Sequence, residues 1–367
     1  MDFTKNINLS INQTSINKIS TSYFITDALI LFWEPVTSGC RLLRCFGNSP
    51  VLNVPGMINK KEIVEIGPYC FSRSRPKFPE KIYKTIFIDI GNQKTTLENG
   101  QTFNQKDFDF SILGTELDGT FLEEVTLPDC VTTLHNAAFY NCRKLKTLSV
   151  GTKISGIGSD EFMNDSLLEH LIIRGKDSEI SGLSLILERI AENITVSFCP
   201  NSSSFPESVV FFPEYYEWLD EISPAHIFSR SIHGEGFRMR KSFENRILDY
   251  RKYDSCLENA LTVESPESLC KIALNRLRWP SRLENISREK YENVIKKYMD
   301  TALALAVKEQ NFPLLQFICT HFSPDIPNLS TAIELCIEKE WGEGNAFLLE
   351  TKHKTFSKKT FDFDLDF

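Results

Sequence analysis

The feature that most constrains the fold is a repeat of apolar residues at an interval of 23 positions. The stretch "VTTLHNAAFYNCRKLKTLSV" (131–150) is followed by "ISGIGSDEFMNDSLLEHLII" (154–173), which places apolar side chains at the same offsets. Two columns run through four units: Val125, Leu148, Leu171, Ile194, and Leu127, Val150, Ile173, Val196. A fixed period of this length predicts a repeat architecture.

Each unit contains an L-x-x-L-x-L pattern that is typical of a short strand with alternate side chains on one face. A unit of about 23 residues cannot bury that face alone, so neighbouring units must stack. Phe139 and Phe162 share a column and are expected to close the far wall of each coil. Cys142 and Asp165 share the next column, where a small polar side chain can satisfy turn backbone groups. We therefore interpret Cys142 as a structural thiol rather than a nucleophile.

These units resemble the BspA-like leucine-rich repeats, which read roughly I-x-x-I-G-x-x-A-F-x-x-C-x-x-L-x-x-V-x-I-P. The resemblance rests on the two stretches above and on "IVEIGPYCF" (63–71), and "VLNVPGMINKKEIVEIG" resembles the family's entry segment. It breaks off between Phe71 and Phe121, where "KTTLENGQTFNQKDFDFSILG" fits no unit. The resemblance implies a binding scaffold without catalytic residues or a cofactor.

The predicted fold class is α+β, a leucine-rich-repeat solenoid of short parallel strands followed by an α-helical domain. A Ser-, Pro- and Asn-rich stretch, "SFCPNSSSFPES" (197–208), marks the boundary between them. The predicted regions are an N-terminal cap (1–44), the solenoid (45–204) with an irregular insertion around 72–120, the helical domain (205–355) and a tail (356–367).

Helix signals dominate after the boundary. Ser223 and Ser265 are predicted helix N-caps, because each precedes a proline that fits the first helical position, and Ser287 is predicted to cap a further helix. The stretches "TALALAVKEQNFPLLQFIC" and "TAIELCIEKEWGEGNAFLL" align at a spacing of 30. This echo, at 301–350, resembles degenerate ankyrin-type helical pairs, although it lacks the T-P-L-H core and the period of 33. A generic helical bundle is the alternative.

The x positions of the repeat strands face outward and form the predicted partner-binding concave face. They are Glu123, Glu124, Thr126, Lys146, Thr147, Ser149, Glu169, His170, Ile172, Glu192, Asn193 and Thr195. The column Glu123, Lys146, Glu169, Glu192 is interpreted either as a solvated charge ladder or as an acidic docking strip for a basic partner.

Composition narrows the function classes. A net charge of −8 and a pI near 5.5 argue against wholesale binding to nucleic acid or anionic membranes. The apolar run "ALILFW" (28–33) is far shorter than the roughly 20 residues of a membrane helix. The N-terminus shows no signal-peptide pattern, and the ten cysteines are scattered, so we expect reduced thiols in a cytoplasmic protein.

No catalytic or metal-binding motif is evident, so we predict neither an enzyme nor a cofactor. The best enzyme-like stretch, with His226 and His233, offers no close cysteine and no phosphate loop. The same region carries a basic cluster (230–252) in which Arg238, Arg240 and Lys241 are candidate anion-binding residues. This cluster supports an alternative function, the binding of nucleic acid or an anionic ligand. A solvated helix face is the simpler interpretation.

The last eight residues, "TFDFDLDF", alternate strictly between apolar and acidic side chains. As a strand, Phe361, Phe363, Leu365 and Phe367 would share one side and could add to a partner's sheet edge. A frayed tail is the alternative. The functional prediction is a non-catalytic protein–protein interaction scaffold, an adaptor or sensor subunit, that binds a protein through the concave face and the tail.

Overall fold

The computed structural model describes residues 28–74, 79, 81–90, 93–103, 115–200, 205–222 and 227–361. The chain divides into two compact units. The first comprises Met1–Leu145 and Gly158–Asp165, and the second comprises Lys146–Ile157 and Ser166–Phe367. The repeat region is a β-solenoid of about 5 turns with parallel strands at a period of about 24 residues, which confirms the predicted fold class.

The first unit contains nine described strands. They are β1 (Ala28–Val36), β2 (Gly39–Phe46), β3 (Val51–Asn53), β4 (Met57–Ile58), β5 (Lys61–Ile66), β6 (Ile82–Ile90), β7 (Gln93–Phe103), β8 (Glu124–Thr126) and β9 (Thr133–Leu134). One sheet has the order β9-β5-β2-β1-β6-β7, with β2, β5 and β9 parallel and the rest antiparallel. Separately, β3 pairs with β8 in parallel. The predicted insertion therefore contains a long antiparallel pair, β6 and β7, which extends the sheet beyond the first coils.

The wall of the first unit is a stack of phenylalanines. The rings of Phe71 and Phe139 lie 4.9 Å apart, and those of Phe139 and Phe162 lie 5.5 Å apart, nearly parallel in both cases. The repeat also recurs in the backbone, because Asn141 and Asn164 both adopt left-handed φ angles, of 62° and 68°. Asparagine tolerates this conformation better than most residues. The predicted phenylalanine column is confirmed.

The repeat strands of the second unit are β10 (Thr147–Gly151), β11 (Gly156–Ile157), β12 (His170–Arg174) and β13 (Ile194–Phe198), followed by β14 (Ser208–Phe212). Strands β10, β12 and β13 are parallel, and β14 closes the series antiparallel to β13. Their alternate side chains point inward and are buried, as the L-x-L pattern predicts.

The register departs from a strict period of 23. Leu148 pairs with Leu171 at that spacing, but Leu171 pairs with Val196, 25 residues further along. The longer coil contains a short helix, α1 (Leu183–Leu187). As a result Ile180, which a period of 23 would place in the core, is 59% exposed, whereas Leu187 is fully buried.

Two hairpins follow the solenoid: β15 (Tyr216–Ile222) with β16 (Ile227–His233), and β17 (Phe243–Glu244) with β18 (Ile247–Leu248). The helix predicted after Ser223 is wrong over its described part, because Ile227–His233 is a strand and residues 223–226 lie outside the described residues. The stretch carries β-favouring Ile and Phe residues and gains its backbone hydrogen bonds from β15.

The described C-terminal residues form nine helices. They are α2 (Gly236–Met239), α3 (Tyr250–Ser255), α4 (Leu257–Val263), α5 (Pro266–Arg278), α6 (Asn285–Lys297), α7 (Met299–Lys308), α8 (Phe312–Phe322), α9 (Ile326–Glu338) and α10 (Gly342–Phe361). Ser265 caps α5 as predicted, since its hydroxyl accepts a hydrogen bond of 3.1 Å from the backbone N–H of Ser268. Ser287 instead lies inside α6, whose N-cap position is Glu284, so the predicted start is wrong.

The echo at a spacing of 30 corresponds to two successive helical hairpins, α7–α8 and α9–α10. Gln310 and Glu340, which lie in the two turns, have left-handed φ angles of 48° and 53°. The next residues, Asn311 and Trp341, donate equivalent backbone hydrogen bonds of 2.9 Å to Ala306 and Cys336. The pairing into helical hairpins therefore repeats with the sequence, and the ankyrin-like assignment stays a prediction.

Candidate functional site

The outward side of the second unit's parallel sheet is the candidate site. Thr147 of β10 pairs with His170 of β12, and His170 pairs with Thr195 of β13, so the three form one row across adjacent strands. Ser149 and Ile172 begin the next row. Neighbouring strands lie about 4.8 Å apart, so each row places side chains at a regular, close spacing. We call this surface the strand face.

The exposure of the predicted concave-face residues differs from position to position. In the second unit, Lys146, Glu169, His170 and Asn193 are exposed, and Thr147, Ile172, Glu192 and Thr195 are half-buried. Ser149 is buried, and its hydroxyl accepts a hydrogen bond of 2.7 Å from Nη1 of Arg174. Ser149 therefore supports the face rather than presenting a contact. In the first unit, Glu124 is exposed, and Glu123 and Thr126 are half-buried.

Strand β14 is the strand next to β13, and its residues beside the strand face are covered by packing. Phe211 pairs with Thr195 and is buried, and its carbonyl accepts a hydrogen bond of 2.5 Å from the hydroxyl of Tyr253. The ammonium of Lys271, on α5, lies 5.6 Å from the centre of the Phe211 ring. The exposed part of the face in this unit is accordingly formed by β10, β12 and β13.

Arg240, one of the predicted anion-binding residues, anchors the last coil. Its side chain is buried and donates hydrogen bonds to the carbonyls of Ile190, Glu192, Pro213 and Gly236, at 2.8, 2.6, 2.5 and 3.0 Å. Burial lowers the pKa of the guanidinium to about 10. Because the donors are directed at backbone carbonyls, we assign Arg240 a structural role.

The other cations of the basic cluster also have partners. Nε of Arg238 lies 3.5 Å from a carboxylate oxygen of Glu235, and Nζ of Lys241 lies 3.3 Å from one of Glu188. The remaining cations and their partners are Arg230 with Glu217, Arg246 with the carbonyls of Ser181 and Ile154, Arg251 with Glu284, and Lys252 with Glu244 and Asp249. Anion binding by Arg238, Arg240 and Lys241 stays a prediction, and these contacts weigh against it.

A shallow cavity of about 270 Å³ lies beside this cluster in the second unit. Its charged lining carries both signs, with Arg189, Arg230 and Lys241 against Glu188 and Glu217, and Tyr215 and Phe237 add aromatic surface. Ion pairs between lining residues, Arg230 with Glu217 and Lys241 with Glu188, therefore neutralise much of the charge in the cavity.

His233 and Cys142, which catalysis could have used, contact groups of the fold instead. The His233 ring stacks on Tyr216 with ring centres 5.0 Å apart, and His226 lies outside the described residues. Cys142 is buried, and its thiol donates a hydrogen bond of 3.3 Å to the carbonyl of Phe71, which confirms its structural interpretation. Within the part of the chain that the structure describes, no group of three or more His, Cys, Asp or Glu side chains could hold a metal ion.

The predicted tail motif falls at the limit of the structure. Phe361 is the last residue of α10, while Phe363, Leu365 and Phe367 lie outside the described residues. None of the described helices is both long enough and apolar enough to cross a lipid bilayer.

Sequence reasoning missed an exposed aromatic pair on the hairpin β15–β16. The aromatic stretch "FFPEYYEWLDEI" (211–222) suggests a seam that caps the last repeat, and Phe211 and Phe212 are indeed buried in β14. Tyr216 and Trp218 are instead 58% and 56% exposed. Glu217 stands between Tyr216 and Trp218, and this short alternation was the available signal, since alternation is typical of a strand with solvent on at least one side.

Comparison with known proteins identifies the repeat. Residues 114–207 match the family model described as the BspA type leucine rich repeat region, in 6 copies. This part of the chain is therefore a BspA-type leucine-rich-repeat region, as its motifs predict. No curated protein and no solved structure matches the chain. Leucine-rich-repeat regions are commonly protein-interaction modules, and their solenoid fold is typically non-catalytic.

Proposed function

We propose that the chain is a non-catalytic recognition subunit, an adaptor or sensor, that binds a protein partner through the strand face. The observation that carries this proposal is the row Thr147, His170 and Thr195, which is held in register on three adjacent strands. Exposed Lys146 and Glu169 stand next to the first two of these residues in sequence.

The rigidity of the sheet favours recognition. Strands β10, β12 and β13 are joined by backbone hydrogen bonds, and their inward side chains, including Leu148, Leu171 and Val196, are buried. A surface that is already ordered loses little conformational entropy when a partner binds. A modest number of contacts with the face can therefore be enough for stable binding, because little of their free energy is lost to ordering.

The chemistry of the strand face suits a protein surface better than a small substrate. It combines hydroxyls, an imidazole and charges of both signs over several strands rather than around one enclosed pocket. Small-molecule sites are usually concave and mostly apolar. A mixed polar surface of this kind is typical of the wetter parts of protein interfaces.

A cytoplasmic location is part of the same proposal. The ten cysteines all lie in the described residues, where none of them forms a disulfide and nine are buried. Buried thiols without disulfides suit a reducing compartment. Fractionation of the native cells with a specific antibody checks the location, and recovery of the protein from the medium or the cell surface would contradict it.

The binding proposal is tested with a purified partner. The intact protein is used to isolate partners from its native cells, and the binding of each purified partner is then measured by calorimetry. We expect the double variant H170E/T195R to weaken binding at least tenfold, because it places a new charge on each of two adjacent strands of the face.

A matched control separates this effect from misfolding. Lys153 is exposed in the turn that follows β10, away from the strand face, so K153E should leave the affinity unchanged. Both variants should unfold at the same denaturant concentration as the unaltered protein. Equal affinity of H170E/T195R and the unaltered protein for every partner would overturn the proposal.

A further inference from the structure

The last helical hairpin, α9–α10, exposes apolar side chains at positions that the preceding hairpin buries. The spacing of 30 residues makes Ile337 equivalent to Val307 and Leu349 equivalent to Cys319. Val307 is fully buried and Cys319 is 8% exposed, whereas Ile337 is 62% exposed and Leu349 is 50% exposed. The second hairpin therefore keeps apolar residues at two positions that nothing in the hairpin array covers.

The order of packing explains this difference. Helix α7 of the first hairpin contacts both α5 and α9, so that hairpin lies between two neighbours. The second hairpin packs against the first, and within the described residues no further helix follows α10 to cover its other side. A terminal repeat normally carries polar residues on its outer face. We call the outer side of α9–α10, which carries Ile337 and Leu349, the end face.

Other equivalent positions are buried in both hairpins. Ala306 and Cys336 are fully buried, and so are Ile318 and Leu348. These positions point into the interior of the hairpin array in each repeat. Ile337 and Leu349 therefore differ from their equivalents because they lie on the outer side, since the interior of the second hairpin is packed like that of the first.

The charges of the last hairpin are separated along its length. At the turn between the helices, residues 338–343 contain Glu338, Glu340 and Glu343 against Lys339, for a net charge of −2. Further along α10, residues 352–359 contain four lysines and no acidic residue. The 20 residues of α10 extend over about 30 Å, so the acidic and basic ends lie well apart. A surface with this arrangement complements a reversed copy of itself.

We propose that the end face binds a second copy of this chain, with the two α10 helices antiparallel and centred on Leu349. A two-fold dimer brings the same patch of both protomers together, so Leu349 meets the equivalent leucine of the other protomer. Glu343 lies six residues before Leu349, and Lys354 lies five residues after it. The symmetry therefore places Glu343 of each protomer opposite Lys354 of the other. The two residues share one side of α10, because 11 residues make about three turns.

The contacts that these residues already make leave them available to a second protomer. Lys354 lies 2.6 Å from a carboxylate oxygen of Glu350, but the two side chains are 70% and 65% exposed. Exposed pairs of this kind contribute little to stability, so Lys354 can turn to a new acceptor. Glu343 is exposed in the first turn of α10.

The size of the end face sets the expected strength of the dimer. The 13 residues of α9 and the 20 residues of α10 extend over about 20 and 30 Å, and each helix is about 10 Å wide. The face therefore covers about 500 Å², and two copies would bury about 1,000 Å² together. This area is at the lower limit for a specific interface, so we expect a reversible dimer.

The dimer does not depend on the proposed function. The end face belongs to α9 and α10, whereas the strand-face residues of the second unit belong to β10, β12, β13 and the residues beside them. The two proposals can therefore fail independently. The strand-face variant H170E/T195R should dimerise like the unaltered protein.

The first test measures self-association of the full chain by sedimentation velocity at concentrations between about 1 and 100 μM. We expect a monomer–dimer equilibrium in the unaltered protein. The variant I337E/L349E should raise the dissociation constant about tenfold or more, because each protomer would bring two charges into the interface. I286E is the matched control, since Ile286 is 70% exposed on α6, and it should leave the equilibrium unchanged. Circular dichroism should show the same helix content in all variants.

Charge reversal tests the antiparallel arrangement. E343K places two lysines opposite each other and should weaken the dimer about fivefold, an effect that added salt should reduce. The double variant E343K/K354E restores an opposite pair at both places, so its affinity should return to within about twofold of the unaltered protein. A parallel arrangement of the helices predicts no such rescue.

Several results would overturn the proposal. One is a protein that stays monomeric up to about 100 μM, and another is a dimer that I337E/L349E does not weaken. Failure of E343K/K354E to bind more tightly than E343K would contradict the arrangement. Dimerisation only after removal of residues 362–367 would assign the end face to the tail of the same chain. Capture of another protein through Ile337 and Leu349, by a chain that alone stays monomeric, would assign it to that protein.

Discussion

The backbone N–H of Cys142 donates a hydrogen bond of 2.7 Å to the carboxylate of Asp165, which lies 23 residues further along the chain. The two residues hold the same position in successive repeat units. These two coils are therefore joined by a side-chain cap on a turn amide as well as by apolar stacking. This role is the one that the shared sequence column predicts for a small polar side chain.

Replacement of Asp165 should destabilise the solenoid. D165A removes the acceptor and leaves the buried Cys142 amide without it, at a cost of about 1–3 kcal/mol. D165N keeps an acceptor oxygen and should lose less. Urea unfolding followed by circular dichroism measures the difference, with exposed Arg143→Ala as the control. Equal stability of D165A and the unaltered protein would show that the cap contributes nothing.

A buried ion pair in the helical region predicts a larger effect. Nε and Nη2 of Arg276 bind the two carboxylate oxygens of Asp254 at 2.8 and 2.9 Å, and the Tyr291 hydroxyl donates to the same carboxylate at 2.8 Å. D254A leaves the buried guanidinium uncompensated, so we expect a loss of about 3–5 kcal/mol in the free energy of unfolding.

The exposed ion pair between Lys290 and Glu258 serves as the comparison for this prediction. E258Q should lower the stability much less, because solvent screens charges at the surface. Chemical denaturation of both variants under the same conditions makes the comparison. A loss in D254A no greater than that in E258Q would contradict the importance of the buried pair.

Glu65 predicts a dependence of stability on pH. Burial raises the pKa of this carboxyl, but hydrogen bonds from His135 and Arg41, each with a ring or guanidinium nitrogen 2.7 Å from Oε2, outweigh it and lower the pKa below its usual value. A lowered pKa stabilises the folded state above the unfolded pKa of about 4.3, and this contribution is lost as the pH falls through the folded pKa.

The variant E65Q tests this linkage. It should flatten the fall of stability with pH below about 4.3, because it removes the group whose pKa differs between the two states. Glu62→Gln, at an exposed position of the same strand, should leave the profile unchanged. Unfolding free energies measured between neutral and acidic pH give both profiles, and identical slopes for E65Q and the unaltered protein would refute the prediction.

The cysteines predict selective thiol reactivity. Burial raises the pKa of Cys40, Cys270 and Cys319 to about 12 each, so their reactive thiolates are scarce at pH 8. Cys130 is the one of the ten that is not buried. A disulfide reagent that releases a coloured thiolate on reaction counts the accessible thiols. It should modify about one thiol quickly in the native protein and all ten after denaturation. C130S should abolish the fast reaction, and several fast-reacting thiols would contradict the burial of the other nine cysteines.

Much of the repeat was predictable because its signal is local and recurs. The columns of Leu148 with Leu171 and of Phe139 with Phe162 are confirmed by strand pairing and ring stacking. The prediction loses register after β12, because the longer coil with α1 shifts the pairing by two residues. A fixed period cannot anticipate a coil of different length, so it misplaces Ile180 in the core.

The candidate sites were less predictable, because exposure depends on what packs nearby. Arg240 and Lys241 are adjacent cations in the sequence, yet the first binds four carbonyls in the interior and the second is exposed beside Glu188. Likewise, Phe211 and Trp218 belong to one aromatic stretch, and only the first is buried. Residue type alone would predict the same exposure for both members of each pair, for Arg240 and Lys241 as for Phe211 and Trp218.

The sequence by itself determined the repeat class, the inward columns as far as β12, and the caps formed by Asp165 and Ser265. These properties depend on side-chain type and spacing, because the stacking of repeat coils and the capping of helix ends are set by nearby residues in the sequence. The tertiary structure alone decided which polar side chains bind backbone groups, how far β13 is offset from β12, and that Ile227–His233 pairs as a strand. Those outcomes depend on partners distant in the chain, because a buried donor or acceptor must be satisfied by whatever group the fold brings to it.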